Sequence, residues 1–227
     1  MSSDNPITPV MSSPQAIITG GKGGLGEAIS IKLKSAGLDV LAPRKNELNV
    51  TSTDSVKAYF ADVGEIDLLV CNAGAILDKP LARMSESDWD QVMQVNLKGA
   101  FLCAREVSRS MMKRRSGHII FISSFSAIHP PAGQANYAAA KSALLGMMKS
   151  MAQELGARNV RVNAILPGFL ETKMTDNLSD EVKQAALQKH TLGRFNTPEA
   201  VAEFITHLHQ RMLHTSGQVF NLDSRIV

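Results

Sequence analysis

Tyr137 is followed four residues later by Lys141, in the run Tyr137-Ala138-Ala139-Ala140-Lys141. An alanine-rich run favours helix, and this spacing puts phenol and ammonium on one helical face. A free tyrosine, with a pKa of about 10, exchanges protons poorly near neutrality. A neighbouring ammonium, with the positive nicotinamide of an oxidised cofactor, is expected to stabilise the phenolate and lower that value. Lys141 could also hold the nicotinamide ribose. Ser123-Ser124 closes an apolar run, with Ser124 thirteen residues before Tyr137. Either hydroxyl could donate to a substrate carbonyl. Asn72-Ala73-Gly74 closes the apolar run before that one, and Asn96 stands inside a helical stretch between them. Asparagine is a mild fault in a helix, more easily understood if its side chain or backbone carbonyl serves a proton relay. The set suits exchange of a proton with a carbonyl or alcohol oxygen.

A second group of residues could hold the matching cofactor. The turn Thr19-Gly20-Gly21-Lys22-Gly23-Gly24-Leu25-Gly26 follows a short apolar run and opens a helical pattern. Glycines allow a sharp turn and close approach of backbone to a pyrophosphate. The helix N-terminus behind them favours an anion. Where the second strand ends, a carboxylate would select the ribose hydroxyl of NAD and a cation the 2′-phosphate of NADP. The chain reads Pro43-Arg44-Lys45, with no acidic residue before Glu47, and Lys22 could add charge. The expected cofactor is NADPH/NADP, with NADH not excluded; the alternative is that Arg44 and Lys45 are only a solvated turn.

These residues need a frame. Apolar, β-prone runs predict strands at 16–19, 39–42, 67–71, 118–122, 161–165 and 217–222, and helical repeats fall over 25–36, 87–115, 137–156 and 198–213. Continuous Val, Ile and Leu suit strands buried on both faces of a parallel sheet covered by helices. The expected fold is an α/β, single-domain Rossmann-type doubly wound parallel sheet over residues 16–227. Residues 1–15 are rich in Ser, Pro and Asn without an apolar core, and read as a flexible tail rather than a secretion signal.

Composition excludes several other classes. The 227 residues carry 44% hydrophobic and 20% charged residues and a formal charge of +3, too small a charge to argue for nucleic acid. No apolar run approaches the roughly 20 residues of a membrane span. No metal site is expected, because His207 and His209 have no thiolate or carboxylate beside them in sequence. Cys71 and Cys103 lie in apolar runs and read as buried thiols in a reducing, cytoplasmic setting.

With these motifs the chain resembles the short-chain dehydrogenase/reductases. The resemblance rests on Thr19-Gly20 with Gly24 and Gly26, Asn72-Ala73-Gly74, Asn96, Ser124, Tyr137 with Lys141, and Pro167-Gly168, and covers about residues 16–223. It implies an oxidoreductase in which Tyr137 is the acid/base and Ser124 orients the carbonyl, the thirteen-residue spacing favouring it over Ser123. Lys141 would tune Tyr137 and bind ribose, and Asn96 would hold a water leading to Lys141. Asn72 would bound the adenosine side and Asn49-Val50 contact adenine, while Pro167-Gly168 and Thr172 would line the nicotinamide.

Within the family, Gly133-Gln134-Ala135-Asn136-Tyr137 and Pro167-Gly168-Phe169-Leu170-Glu171-Thr172 look most like the 3-oxoacyl-[acyl-carrier-protein] reductases. That likeness implies a carrier-bound or CoA-bound acyl substrate, carrier docking on Arg115 and Arg158 near the mouth of the site, and a homo-oligomer, tetramer or dimer. Another small ketone, a sugar, a steroid or a polyketide is the alternative substrate; a non-catalytic nucleotide-sensing scaffold is the remoter one. The stretch 170–194 reads as a substrate lid, with Met174, Leu178, Val182 and Leu187 as an apolar stripe. Two departures stand out. Only Lys45-Asn46-Glu47-Leu48 separates Arg44 from Asn49, where the family usually has a helix and part of a strand. Ser224-Arg225 follow Asp223, where two glycines are common.

Overall fold

Apolar runs broken at glycine, proline and asparagine form six strands: β1 (Gln15–Ile18), β2 (Asp39–Leu41), β3 (Leu68–Cys71), β4 (Gly117–Ile122), β5 (Val160–Leu166) and β6 (Val219–Asn221). They are seen in a computed structural model that describes residues 15–172, 175–176 and 179–226. All six pair in parallel, in the order β2-β1-β3-β4-β5-β6. The helices are α1 (Gly24–Ser35), α2 (Thr53–Asp62), α3 (Glu86–Met93), α4 (Gly99–Arg114), α5 (Ala135–Gly156), α6 (Asp180–Leu187) and α7 (Pro198–Gln210).

The period-two alternation of a strand sends neighbouring side chains to opposite faces. Ile17, Leu69, Ile119, Phe121 and Val162 meet Leu102 and Val107 of α4 and Leu144 and Met148 of α5. Ile18, Leu68, Val70, Ile120 and Ile165 meet Ile29 and Leu33 of α1 and Val201, Ile205 and Leu208 of α7. With helices on both faces, the expected α/β, Rossmann-type doubly wound sheet is the fold observed.

The differences from expectation are local. The helix expected over 87–115 is three pieces, α3 and α4 joined by a π-helical turn, Gln94–Lys98. Helix α2 was not expected: Ser52 caps it by accepting from the Ser55 N–H, yet only Val56 of it is fully buried. Met174 and Leu178 of the supposed apolar stripe, and residues 1–14 of the supposed tail, lie outside the described residues; Gln15 begins β1. The shortened segment after β2 is a tight turn in which the Leu48 N–H donates to the Arg44 carbonyl at 2.9 Å, and β2 forms the edge of the sheet. Among the described residues no helix is long and apolar enough to cross a membrane.

Candidate active site

From β1 the chain crosses to β2 on one side, then returns to β3 on the other. That reversal opens a crevice at the carboxyl ends of β1 and β3, where ligands of such sheets bind. Its walls touch through backbone. Gly20 has a φ of +64°, and a Cβ there would stand 2.9 Å from Ala73 Cα. A Cβ on Gly26 would stand 2.5 Å from the Gly20 carbonyl, and one on Gly21 2.6 Å from Ala42 Cβ. The loop therefore lies against the end of β2, which brings exposed Lys22 to the side where Arg44 and Lys45 are also exposed. Glu47 accepts the Arg44 backbone N–H at 2.6 Å, so its carboxylate closes the turn. Helix α1 has no side-chain cap at Gly23, which leaves its first N–H groups to an anion.

Several residues expected at the cofactor spend their side chains elsewhere. Thr19 Oγ1 accepts the N–H groups of Asn72 and Ala73, both at 3.0 Å, stitching β1 to β3. Asn72 Nδ2 donates to the carbonyls of Thr19 and Gly20 at 3.2 Å each. Asn49 Oδ1 accepts from the Thr51 N–H and hydroxyl. Val50 is buried where it would meet a Cβ on Gly99. The Asn49 backbone is also engaged, its N–H donating to Ser55 Oγ and its carbonyl accepting the Ser52 N–H, both at 3.0 Å. Leu25 is half-buried against the α1 side of the core. Across the crevice, Thr172 lies over the start of α1, 3.1 Å from a Cβ placed on Gly24. The Pro167 carbonyl accepts from Asn196 Nδ2 at 2.9 Å, and Gly168 turns the chain with a φ of +83°.

Tyr137 and Lys141 lie in the first turns of α5, beside the ends of β3 and β4. The Lys141 ammonium is buried, stands 5.6 Å from the Tyr137 ring centroid and donates to the Ile122 carbonyl at 2.9 Å. Burial pushes the Lys141 pKa down to about 8, opposed by the Cys71 thiol. The expected lowering of Tyr137 is not what the structure gives. Burial pushes the phenol up to about 12, a hydrogen bond with Ser124 lowers it, and Asp78 raises it further.

The two serines part company. Ser123 is buried and donates to the Lys141 carbonyl at 2.8 Å, whereas Ser124 is only half-buried and faces Tyr137. Asn96 sits in the π turn, 1% exposed, donating to the carbonyls of Ala75 and Val92 at 2.8 and 2.9 Å. Its Oδ1 would be 3.0 Å, and Lys141 Nζ 3.7 Å, from a Cβ on Gly74, so both reach the same backbone.

A second ring of residues was not anticipated. Ser124 Oγ accepts the Ser126 N–H at 3.1 Å; Ser126 Oγ donates to Gln134 Oε1 at 2.8 Å, and Gln134 Nε2 donates to Asp78 at 2.7 Å. Asn136 is wholly buried, accepts the Tyr137 N–H at 2.7 Å and donates to the Leu77 carbonyl at 3.1 Å. Gln134 and Asn136 closely precede Tyr137 in sequence, and that adjacency was the available signal.

Arg115 and Arg158 do come together, since Arg115 Nη2 donates to the Ala157 carbonyl at 3.0 Å. They precede β4 and β5, at the amino ends of the strands. Tyr137 stands at the other end of the 22-residue helix α5, about 30 Å away at the usual helical rise. The expectation that they border the mouth of this chain's own site is therefore corrected.

A family model described as enoyl-(acyl carrier protein) reductase matches residues 22–224. The chain is 40% identical to a 3-oxoacyl-[acyl-carrier-protein] reductase of Thermotoga maritima, over 93% of this chain and 96% of that protein. It is 38% identical to the enzyme of the same name from Aquifex aeolicus, over 90% and 96%. It is also 36% identical to nodulation protein G of a Rhizobium species, over 92% and 95%.

Proposed function

Because the chain belongs to the short-chain dehydrogenase/reductase family and is an NAD(P)-dependent oxidoreductase of carbonyls and alcohols, we propose that it reduces a 3-oxoacyl thioester to the 3-hydroxyacyl thioester with NADPH. The observation that carries the reading is the meeting of Ser124, Tyr137 and Lys141 beside a backbone cradle with no room for a Cβ at Gly20 or Gly26. Such a cradle fits a pyrophosphate. Arg44, Lys45 and Lys22 at the end of β2 suit a 2′-phosphate. When bound, NADPH supplies the hydride.

Ser124 Oγ orients the keto oxygen by hydrogen bonding. Tyr137, whose pKa of about 12 keeps it a phenol at neutral pH, gives its proton to that oxygen as negative charge develops. Lys141 stabilises the phenolate left behind, and Asn96 holds the relay that restores the proton. Residues 16–227 act as one domain in this reading, in a reducing cytoplasm that suits two buried thiols. The carrier docks on Arg115 and Arg158. From there it can reach Tyr137 only of a second copy, which calls for a homo-oligomer.

The test follows loss of NADPH absorbance, and separately of NADH, with acetoacetyl-CoA. Oxidation of NADPH well above that of NADH is expected, and Tyr137→Phe should lower turnover by roughly 100-fold or more while NADPH still binds. Retained turnover in that variant would sink the assignment. Turnover of crotonyl-CoA instead would move it to the enoyl reduction that the matching family model describes. A folded wild type that binds NADPH but reduces neither thioester would turn the search to other ketones, or to a nucleotide-sensing role.

A further inference from the structure

The tail after β6 carries an arginine that this reaction scheme does not use. The Arg225 guanidinium carbon lies 3.6 Å from the centroid of the Phe125 ring. Phe125 adjoins Ser124 and opens the 3-10 turn Phe125–Ala127, which Ser124 caps. Asp223 holds the guanidinium there. Arg225 Nε donates to its two carboxylate oxygens at 2.9 and 3.0 Å, Nη2 donates to Oδ2, and the Arg225 backbone N–H donates to Oδ1 at 2.8 Å.

Asp223 is itself fixed. Its side chain is fully buried, Oδ1 lies 3.2 Å from His190 Nε2, and Oδ2 would be 3.2 Å from a Cβ on Gly168. The Ser224 carbonyl accepts the Thr191 hydroxyl at 2.7 Å and the Thr191 N–H at 3.2 Å. The tail is thus anchored to the loop between α6 and α7, and its arginine reaches the turn that bears Ser124. The far end of that turn is tied to α5, where the Ser142 hydroxyl donates to the Ala127 carbonyl at 2.7 Å, and Phe125 also stacks on His129 with ring centroids 5.1 Å apart; the guanidinium holds the end next to Ser124. A planar guanidinium locked by a carboxylate and stacked on an aromatic face is a stiff contact, which a lysine could not reproduce.

We propose that Arg225 is a positioning residue: braced by Asp223, it clamps the Phe125 ring and thereby fixes the turn that presents Ser124 to the carbonyl. The inference rests on the role given above to Ser124. Its consequence is kinetic, because a small misplacement of an orienting group costs rate rather than affinity.

Arg225→Ala, Phe125→Leu, Phe125→Tyr and the Arg225→Ala/Phe125→Leu double variant test it, each checked for folding by circular dichroism. Arg225→Ala and Phe125→Leu should each lower kcat for acetoacetyl-CoA roughly tenfold, with KM and the NADPH dissociation constant within about twofold. The double variant should lose no more than either single one, and Phe125→Tyr, which keeps the ring, should stay near wild type. Amide hydrogen exchange across residues 123–128 should speed up in Arg225→Ala, a readout independent of turnover. Losses that multiply in the double variant, or unchanged exchange in Arg225→Ala, would overturn the clamp. If the wild type reduces no thioester, the functional reading fails, and the exchange measurement alone decides the clamp.

Discussion

Burial drives Tyr137 and Lys141 apart from their ordinary ionisation and toward their neutral forms, Tyr137 up to about 12 and Lys141 down to about 8. The phenol is thereby loaded for reduction, and in the oxidative direction the phenolate needs the positive nicotinamide beside it. The lysine has a consequence for stability. In the unfolded chain its ammonium keeps its proton to about pH 10.5, whereas the folded one releases it near 8. Between those values the unfolded state binds more protons, so this group's contribution to stability rises with pH, and below 8 the folded state carries the full penalty. Relative to Lys141→Met, the wild type should gain about 2 kcal/mol in urea unfolding between pH 7 and 9.5. The buried thiols Cys71 and Cys103, both raised by burial, act on both proteins and largely cancel. A gap between the two proteins that stays constant with pH would mean that Lys141 is not held away from water as the structure has it. The pair itself was legible because its chemistry is local, four residues on one helix. Arg225 on Phe125 was not, because a contact across a hundred residues leaves no local pattern.

Two glycines of one loop separate local propensity from packing at the scale of the strand–turn–helix element. Gly26 lies inside α1, where alanine would ordinarily stabilise by about 0.5–1 kcal/mol. Here a Cβ would stand 2.5 Å from the Gly20 carbonyl and 2.7 Å from Gly21 Cα, backbone atoms that cannot swing away. Gly26→Ala should therefore destabilise by about 1–3 kcal/mol and weaken NADPH binding at least about tenfold as the loop shifts. Gly23→Ala meets only the Gly20 carbonyl at 3.5 Å and should cost less than about 1 kcal/mol. Equal effects of the two substitutions in urea unfolding would count against the cradle. Elements with one dominant pattern were readable: the strands by their unbroken Val, Ile and Leu, α5 by its alanines. Helix α2 did carry a signal, since Val56, Tyr59, Phe60 and Val63 recur at helical spacing and pack on the core, but only Val56 of them is fully buried and the run is short. The π turn escaped because nothing in Gln94-Val95-Asn96-Leu97-Lys98 distinguishes it from α-helix except Asn96, whose amide spans from the Val92 carbonyl to Ala75.

The whole sheet has two chemically different ends. At the carboxyl ends of the strands sit the glycine cradle, Ser124 and Tyr137; at the amino ends sit Arg115 and Arg158, joined through the Ala157 carbonyl. Sequence order already sets both arginines before predicted parallel strands and Ser124 after one, so the two ends were legible; the distance between them follows once α5 is seen to run the depth of the sheet. If a carrier protein, acidic as carriers of this kind are, docks there, steering is electrostatic and weakens with salt. Arg115→Glu with Arg158→Glu should slow a carrier-bound substrate roughly tenfold or more while changing acetoacetyl-CoA turnover by less than about twofold. Because the two ends lie about 30 Å apart, docking on one copy must feed the Tyr137 of another. Co-expressing Tyr137→Phe, dead but able to dock, with the doubly reversed chain, unable to dock but chemically intact, should then restore turnover of the carrier-bound substrate. In an assembly of two randomly paired copies the recovery should reach about a quarter of the wild-type rate, since half the pairs are mixed and each has one working combination. Recovery on mixing, from parents that are separately poor, can come only from a site in one chain served by arginines in the other. Its absence, with the charge reversals still selective for the carrier, would place the acyl delivery within a single chain and require a different docking face.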